Sequence, residues 1–323
     1  MRILDLAQIK QALEGADLLA AMEQGFRDYS QGLCSVPPVG ELLMDRGEVH
    51  IKYGCVHGDP EYLIKIASGF AGNSQLGLPT SNGLLLVFSQ QTGALQCILL
   101  DEGYLTARRT AAAGALAARY LAPAPVEKIG ILGTGVQARM QLRELRAVTD
   151  CREVLVWGRN PDHAAEYCKE FQNDAYRITR VADPEEIPAT CNLIVTTTAA
   201  SEPLFSARHL RPGTHITAIG SDTPHKQELD CAVLARADRV VADSIEQCLL
   251  RGEIYRALEA GAIQRQDITE IGHIISGETS GRTSDDQITV FDSTGVAVQD
   301  IRIAALVLEG SAHTGSCASV LEG

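Results

Sequence analysis

The most distinctive spacing of residues that could do chemistry lies in the segment KIGILGTGVQARMQL, residues 128–142. Gly133, Gly135 and Ala138 form Gly-x-Gly-x-x-Ala between an apolar run and a helix-forming run. In that setting the first glycine permits a tight turn, the second lets backbone approach a pyrophosphate, and the alanine lets helix and strand pack closely. The helix N-terminus then offers unpaired N–H groups to phosphate. We predict a dinucleotide site, with a purely structural strand–turn–helix as the alternative.

The next predicted strand, EVLVWGRN, ends where a ribose-reading carboxylate would stand if the site preferred NAD. The chain has Gly158, Arg159 and Asn160 there instead. No carboxylate repels a 2′-phosphate at this position, and a guanidinium can bind one. We therefore predict NADP as the preferred cofactor and NAD as the lesser one. The alternative is that Arg159 only stacks on adenine, which would serve either dinucleotide.

Three basic residues in or beside apolar segments could hold a substrate. Lys65 lies between two isoleucines in YLIKIASGF, and Lys52 has a similar but weaker setting in VHIKYG. A lysine is rarely buried without a partner, so Lys65 is either functional or on the solvated face of a half-buried strand. Arg109, near the start of an alanine-rich helix, could clamp a carboxylate through two hydrogen bonds or could be an ordinary surface residue.

One acidic residue follows a predicted parallel strand, in AIGSDTPHKQELD. Asp222 should therefore lie at the carboxyl end of a parallel sheet, where α/β folds bind ligands. A carboxylate facing a cofactor cleft could act as a general acid or base. The alternative is an aspartate that caps the next helix.

The elements that must position these residues fall into two kinds. The first third begins with one or two amphipathic helices and continues into strands separated by Gly, Pro and Asn, with QQTG as a hairpin turn. This pattern predicts an α+β region rich in antiparallel strands. A helix then begins near Thr106, and PAPVEK marks a domain boundary. Beyond Val126 short apolar strands alternate with helices, which is typical of a parallel sheet covered on both faces.

Composition and charge narrow the class of protein. The 323 residues include 45% hydrophobic and 21% charged residues, as in an ordinary globular protein of two domains. The net charge of −13 without a basic cluster argues against nucleic acid or anionic membranes as partners. Nine scattered cysteines, from Cys34 to Cys317, without a Cys-x-x-Cys pair, argue against a disulfide framework or a metal site. Without a leader or a membrane span, we expect a cytoplasmic protein.

Taken together, the motifs resemble the ornithine cyclodeaminase/mu-crystallin family over nearly the whole chain. The matching pieces are KIASGFAGNSQLGLPTSNGLLLVF, ILLDEGYLTARRTAAAGALAARYLA, IGILGTGVQARMQL, VWGRN, GSDTPHKQELD and VFDSTGVAVQD. The resemblance implies a Rossmann-type doubly wound parallel sheet, residues 119–300, plus an α+β substrate-binding and dimerisation domain, residues 1–118 with 301–323. It implies a homodimer whose N-terminal strands pair across the two-fold axis. We expect the last residues, 311–323, to form a frayed tail.

The resemblance also implies the roles of particular residues. Lys65 becomes the active-site lysine, Arg109 the arginine that binds the substrate carboxylate, and Asp222 the acid or base near the reacting carbon and nitrogen. Lys52, Glu41 and Thr223 complete the predicted substrate site. The predicted cofactor-binding set comprises Gly133, Thr134, Gly135, Val136, Gln137, Ala138, Gly158, Arg159, Asn160, Thr196, Thr197, Thr198, Gly220, Ser293, Gly295 and Val296.

Family resemblance leaves the reaction open. The implied common step moves hydride between an amino-acid α-carbon and nicotinamide, through an imine. WGRN and VGELLMDRGEVHIKYG resemble the dehydrogenases and ketimine reductases more than the cyclodeaminases. We therefore expect an NAD(P)-dependent L-amino-acid dehydrogenase or a pyrroline or piperideine carboxylate reductase. Glu41 suggests a basic substrate such as arginine. The alternatives are an ornithine cyclodeaminase that recycles NAD and an NADPH-dependent binding protein like mu-crystallin.

Overall fold

A computed structural model describes residues 1–172 and 174–313. The chain divides into two structural units. The first comprises Met1–Arg109 and Val296–Gly323, of which residues 296–313 are described; the second is Thr110–Gly295. One helix, α3 (Tyr104–Leu121), begins in the first unit and ends in the second. The boundary between the units therefore falls inside a continuous helix, upstream of the proline-rich segment that the sequence suggested.

The first unit has a mixed sheet of seven strands in the order β1-β7-β6-β5-β4-β2, with β3 also paired to β4. The pairs from β2 to β7 are antiparallel, and β1 adds to β7 in parallel. The strands are β1 Arg2–Leu4, β2 Cys34–Ser35, β3 Gly40–Met44, β4 Gly47–Val56, β5 Glu61–Gly69, β6 Ser81–Ser89 and β7 Leu95–Leu99. The expected α+β region is confirmed, and the QQTG turn does lie between β6 and β7.

Among its described residues, the first unit also contains the helices α1 (Leu6–Ala12), α2 (Leu18–Ser30) and α11 (Ala297–His313). Helix α11 packs on α1 and α2 and also on β4 and β5, so the last described helix belongs to the N-terminal unit. Asp5 and Asp17 cap the first two helices through their side chains. Residues 314–323, which include Cys317 and most of the predicted frayed tail, lie outside the described residues.

The second unit is an all-parallel sheet of eight strands in the order β10-β9-β8-β11-β12-β15-β13-β14. Its first five strands repeat the 3-2-1-4-5 order of a doubly wound nucleotide-binding fold. The strands are β8 Ile129–Leu132, β9 Glu153–Trp157, β10 Arg177–Arg180, β11 Leu193–Thr196, β12 His215–Ala218, β13 Arg239–Ala242, β14 Ile268–Glu270 and β15 Thr289–Asp292. The predicted fold class is confirmed.

Helices flank this sheet, and its central strands are buried along their whole length. The helices are α4 Val136–Glu144, α5 Pro161–Glu170, α6 Glu186–Thr190, α7 Cys231–Ala235, α8 Ile245–Cys248, α9 Gly252–Glu259 and α10 Ile271–Ile275. Strands covered on both faces read as continuous apolar runs, which explains why the sequence pattern predicted these strands well. None of the described helices is long and apolar enough to cross a membrane.

The predicted start of helix α3 is confirmed to within two residues. Helix α3 begins at Tyr104, two residues before the predicted start near Thr106. The reason is Asp101, whose backbone carbonyl accepts from Tyr104 N at 2.8 Å and whose Oδ2 accepts from Leu105 N at 2.8 Å. This buried aspartate satisfies the first donors of the helix that carries Arg109.

Candidate functional site: a dinucleotide cradle and a buried cation cluster

The glycine turn has the geometry that its spacing predicted. Gly133 has φ +118°, and a Cβ there would lie 2.4 Å from Thr197 Oγ1, so a side chain is excluded both by the backbone and by space. Gly135 has an ordinary φ, but nothing lies within 4 Å of its would-be Cβ. Ala138 is fully buried in the core that α4 shares with β8. The turn therefore leaves open space beside Gly135, at the start of α4.

The nine-residue helix α4 begins at this open space, with Gly135 as an N-cap that makes no side-chain hydrogen bond. Its first backbone N–H groups therefore have no capping side chain, which is the arrangement that binds phosphate. A cavity of about 460 Å³ lies beside it. The cavity is lined by Gly133, Thr134, Gly135, Trp157, Gly158, Arg159, Asn160, His163, Thr197, Thr198, Ala199, Ala200 and Leu204. These residues fit a dinucleotide.

The end of β9 bears on cofactor choice. Arg159 and Asn160 are exposed at the cavity. Asn160 is also the N-cap of α5, where its Oδ1 accepts from Asp162 N at 2.8 Å. His163, one turn into α5, also lines the cavity. The sequence interpretation passed over this histidine because nothing local ties a helix residue to the cavity.

Of the three threonines in TTT, only two reach the cavity. Thr197 and Thr198 line it, whereas Thr196 is fully buried and its hydroxyl donates to Glu228 Oε2 at 2.7 Å. Gly220 is not among the residues that line the cavity, and its N–H donates to the same Oε2 at 2.9 Å. Val136, Gln137 and Ala138 do not line the cavity either.

The loop after β15 is held from within the second unit. Asp243 Oδ2 accepts from Gly295 N at 2.6 Å and from Ser293 Oγ at 3.1 Å. Both loop residues are therefore fixed by one buried carboxylate at the carboxyl ends of β13 and β15. Val296, the third residue predicted in this loop, is fully buried. It is the residue at which the chain returns to the first unit, directly before α11.

In the first unit, Lys65 and Arg109 meet at one buried carboxylate that the sequence interpretation did not single out. Lys65 Nζ donates to Asp300 Oδ1 at 3.0 Å and lies 2.9 Å from Oδ2. Arg109 Nε donates to Oδ1 at 3.0 Å, and its Nη1 donates to Gln299 Oε1 at 3.0 Å. The side chains of Lys65, Arg109 and Asp300 are no more than 5% exposed. This burial excludes the solvated-strand interpretation of Lys65 and the surface interpretation of Arg109.

A third cation adds to this cation cluster, which we define as Lys52, Lys65 and Arg109 around Asp300. Lys52 is directly opposite Lys65 in the pairing of β4 with β5, and it is 7% exposed. Burial would raise the pKa of Asp300, but the charges of Lys65, Arg109 and Lys52 outweigh burial and lower it. Burial lowers the pKa of Lys65 to about 8, and the Asp300 charge opposes that fall. The charges of Asp300 and, to a smaller extent, Asp101 thus act on a cluster of three cations, which leaves an excess of positive charge that favours binding of another anion.

Glu41, the predicted receptor of a basic substrate, lies opposite His50 in the pairing of β3 with β4. Its Oε1 is 3.3 Å from His50 Nε2. The Glu41 carboxylate is therefore engaged within the sheet.

Asp222 belongs to the second unit and lies in the loop after β12. It does not cap the next helix, because α7 begins at Cys231 with Asp230 as its N-cap. Its Oδ1 accepts from Lys226 Nζ at 2.6 Å, and its side chain is 38% exposed. Thr223, the neighbouring predicted substrate residue, is 5% exposed. Asp222 is thus an accessible carboxylate with a lysine partner, at the carboxyl end of a parallel strand.

Known proteins similar to this chain share both units. An uncharacterized cyclodeaminase, y4tK of Sinorhizobium fredii, is 39% identical over 328 residues, covering 100% of this chain and 99% of the relative. An archaeal alanine dehydrogenase dimer with bound NAD has a TM-score of 0.93 at 32% identity, covering 100% and 99%. The Δ1-pyrroline-2-carboxylate reductase of Thermococcus litoralis, in complex with NADH and L-proline, has a TM-score of 0.92 at 27% identity, covering 99% and 100%.

The expected family is also matched by a family model, across residues 2–315. The match includes the glycine turn, the loop of Asp222 and the residues of the cation cluster. The chain belongs to the ornithine cyclodeaminase/mu-crystallin family.

Proposed function

We propose that the protein is an NAD(P)-dependent oxidoreductase that acts on the C–N bond of a small amino acid or cyclic imino acid, through an imine. The observation that carries the proposal is the burial of Lys65 and Arg109 on one carboxylate, in a chain whose other unit has a dinucleotide cradle. A guanidinium and an ammonium fixed side by side suit an α-carboxylate. The similar proteins of known structure, which bind NAD or NADH, support the class.

Each residue of the proposed site has a distinct role in binding or in proton transfer. Arg109 and Lys65 bind the substrate carboxylate, and Asp300 fixes both cations in place. Asp222 takes a proton from the substrate nitrogen as the amine becomes an imine, and returns it in the reverse direction. Lys226 orients that carboxylate from 2.6 Å. The bound dinucleotide supplies the hydride acceptor or donor.

We propose that the first unit binds substrate and forms the dimer, and that the second binds the dinucleotide. Strand β3 exposes Leu42, Leu43 and Met44, which is an apolar edge suited to burial against a second copy. The similar archaeal alanine dehydrogenase is described as a dimer.

We further propose that NADP is preferred over NAD. Arg159 is exposed at the cavity, and the position holds no acidic residue that would repel a 2′-phosphate. Arg159→Ala should raise the KM for NADPH about tenfold or more, the equivalent of one charge-assisted contact, and leave that for NADH nearly unchanged. Steady-state assays with both dinucleotides measure the ratio. An unchanged ratio would mean that Arg159 does not read the phosphate.

A substrate panel tests the reaction itself. L-amino acids with NAD and NADP, and pyrroline- and piperideine-2-carboxylate with NADPH, are followed at 340 nm. Turnover that changes absorbance supports the proposed class. Conversion of ornithine to proline and ammonia without net absorbance change would identify a cyclodeaminase instead. The engagement of Glu41 with His50 lends no support to a basic substrate, so small neutral substrates come first in the panel.

A further inference from the structure

Glu228 is a fully buried carboxylate in the second unit to which the proposed mechanism assigns no task. Its Oε1 accepts from the backbone N–H of Thr198 at 2.5 Å and from the Thr198 hydroxyl at 2.7 Å. Its Oε2 accepts from Gly220 N–H at 2.9 Å and from the Thr196 hydroxyl at 2.7 Å. One side chain therefore joins the carboxyl end of β11 to the carboxyl end of β12.

The backbone around Glu228 is attached to the same wall of the cavity. Leu204 N donates to Glu228 O at 2.8 Å, and Gln227 N donates to Ala200 O at 2.8 Å. Thr198, Ala200 and Leu204 all line the dinucleotide cavity. Hydrogen bonds with the segment 227–228 thus hold the cavity wall, residues 197–204, at Thr198, Ala200 and Leu204.

Glu228 is itself held in place with little room to move. Glu253, on α9, accepts from Glu228 N at 2.7 Å and from Leu229 N at 3.1 Å. A Cβ on Gly220 would lie 2.1 Å from Thr198 O and 2.6 Å from Glu228 Cδ. This close packing fixes the distance between the two strand ends.

We propose that Glu228 is the positioning residue of the dinucleotide site, whose carboxylate sets the cavity wall 197–204 at the distance that the dinucleotide requires. The proposal rests on the proposed function. Glu228 touches the dinucleotide only through Thr198 and its neighbours, so it acts on binding and not on the chemical step.

The geometry requires a carboxylate and not merely a polar group. Each oxygen receives one backbone N–H and one hydroxyl. A hydroxyl can turn and accept, but a backbone N–H cannot. In Glu228→Gln the amide NH₂ would face a backbone N–H in either orientation, leaving a buried donor unsatisfied. The wall should therefore move away from its position, although the volume of the side chain is unchanged.

The test measures binding without turnover. NADPH is titrated by fluorescence and ADP-ribose by calorimetry, at pH 8, because burial raises the pKa of Glu228 only to about 7 and the group is then charged. If, as proposed, the wall contacts the ADP-ribose part that both ligands share, Glu228→Gln should weaken both about tenfold or more and by equal factors. Asp238→Asn is the control. Asp238 accepts from Ile288 N at 2.7 Å beside the amino ends of β13 and β15, and its loss should leave both Kd values unchanged.

A second variant keeps the proposal testable if Glu228→Gln does not fold. Thr196→Val removes one of the four donors from a residue that does not line the cavity, and should weaken both ligands in the same direction by a smaller factor. If Glu228→Gln folds and binds both ligands with wild-type Kd values, the proposal is overturned, whatever its melting temperature. If Glu228→Gln does not fold, wild-type Kd values in Thr196→Val overturn it. A wild-type protein that binds neither NADPH nor NADH overturns the proposed function as well.

Discussion

Replacing Asp300 by asparagine should show how far the stability and the protonation of the buried cations depend on the carboxylate that they share. The substitution keeps the shape of the side chain and removes its charge. In the wild type, Lys65 Nζ and Arg109 Nε both donate to Asp300 Oδ1 at 3.0 Å. With an effective dielectric constant of about 20, each pair has a gross Coulomb attraction of about 5.5 kcal/mol at 3.0 Å. Desolvation offsets much of this, and removing one partner of a buried pair typically costs about 3–5 kcal/mol. We expect a loss of stability in that range.

The same substitution should change the pH dependence of activity in a definite direction. Burial lowers the pKa of Lys65 to about 8, and the Asp300 charge is the largest of the effects that oppose this fall. Lysine must be protonated to bind the substrate carboxylate, so kcat/KM in wild type should fall above about pH 8. In Asp300→Asn the Lys65 proton is lost at lower pH. The fall in kcat/KM at high pH, the alkaline limb of the profile, should therefore begin below pH 8. The substrate KM at pH 8 should rise about fivefold or more, because a one-unit fall in the pKa of Lys65 from about 8 cuts its protonated fraction at pH 8 from about one half to about one eleventh.

Asp28→Asn is the matched control in the same unit. Asp28 is 4% exposed and pairs with Arg302, which is not a member of the cation cluster. It should lower the thermal midpoint, as Asp300→Asn does, but leave the substrate KM and the alkaline limb in place. Steady-state kinetics across pH 6–10, with melting curves of all three proteins, make the comparison. Wild-type KM and an unmoved alkaline limb in Asp300→Asn would refute the reasoning.

Two further predictions concern the cradle and the proton. Gly133→Ala should lower the melting temperature and abolish NADPH binding, because φ is +118° and the new Cβ would lie 2.4 Å from Thr197 Oγ1. Gly135→Ala should weaken NADPH binding but leave the melting temperature unchanged, since its Cβ would meet no protein atom within 4 Å. Equal melting temperatures for the two variants would contradict this prediction. Asp222→Asn should reduce kcat by about a hundredfold or more, the usual contribution of a general acid or base, with the Kd of NADPH unchanged by fluorescence titration. Substantial turnover in that variant would show that Asp222 does not move the proton.

Local sequence patterns determined much of the second unit. Its central strands are buried on both faces and therefore appear as short, mainly apolar runs. Gly133 and Gly135 are needed by a turn whose geometry is contained in a few consecutive residues. The helix α3, with its many alanines, was predicted for the same reason, and only its first residues were misplaced, because the Asp101 cap lies before the alanine-rich run. The family followed from several such motifs together.

Only the tertiary structure decided which charged residues meet. Alternation along β5 allowed Lys65 to face either solvent or the core, and nothing near Lys65 in the sequence identifies Asp300, which lies 235 residues away. Nothing in the sequence near Glu228 distinguishes it, and only the folded chain shows that Thr196, Thr198 and Gly220 donate to it. The physical reason is the same in both cases. Burial of a charge is decided by the groups that surround it in space, and those groups come from distant segments that local periodicity does not relate.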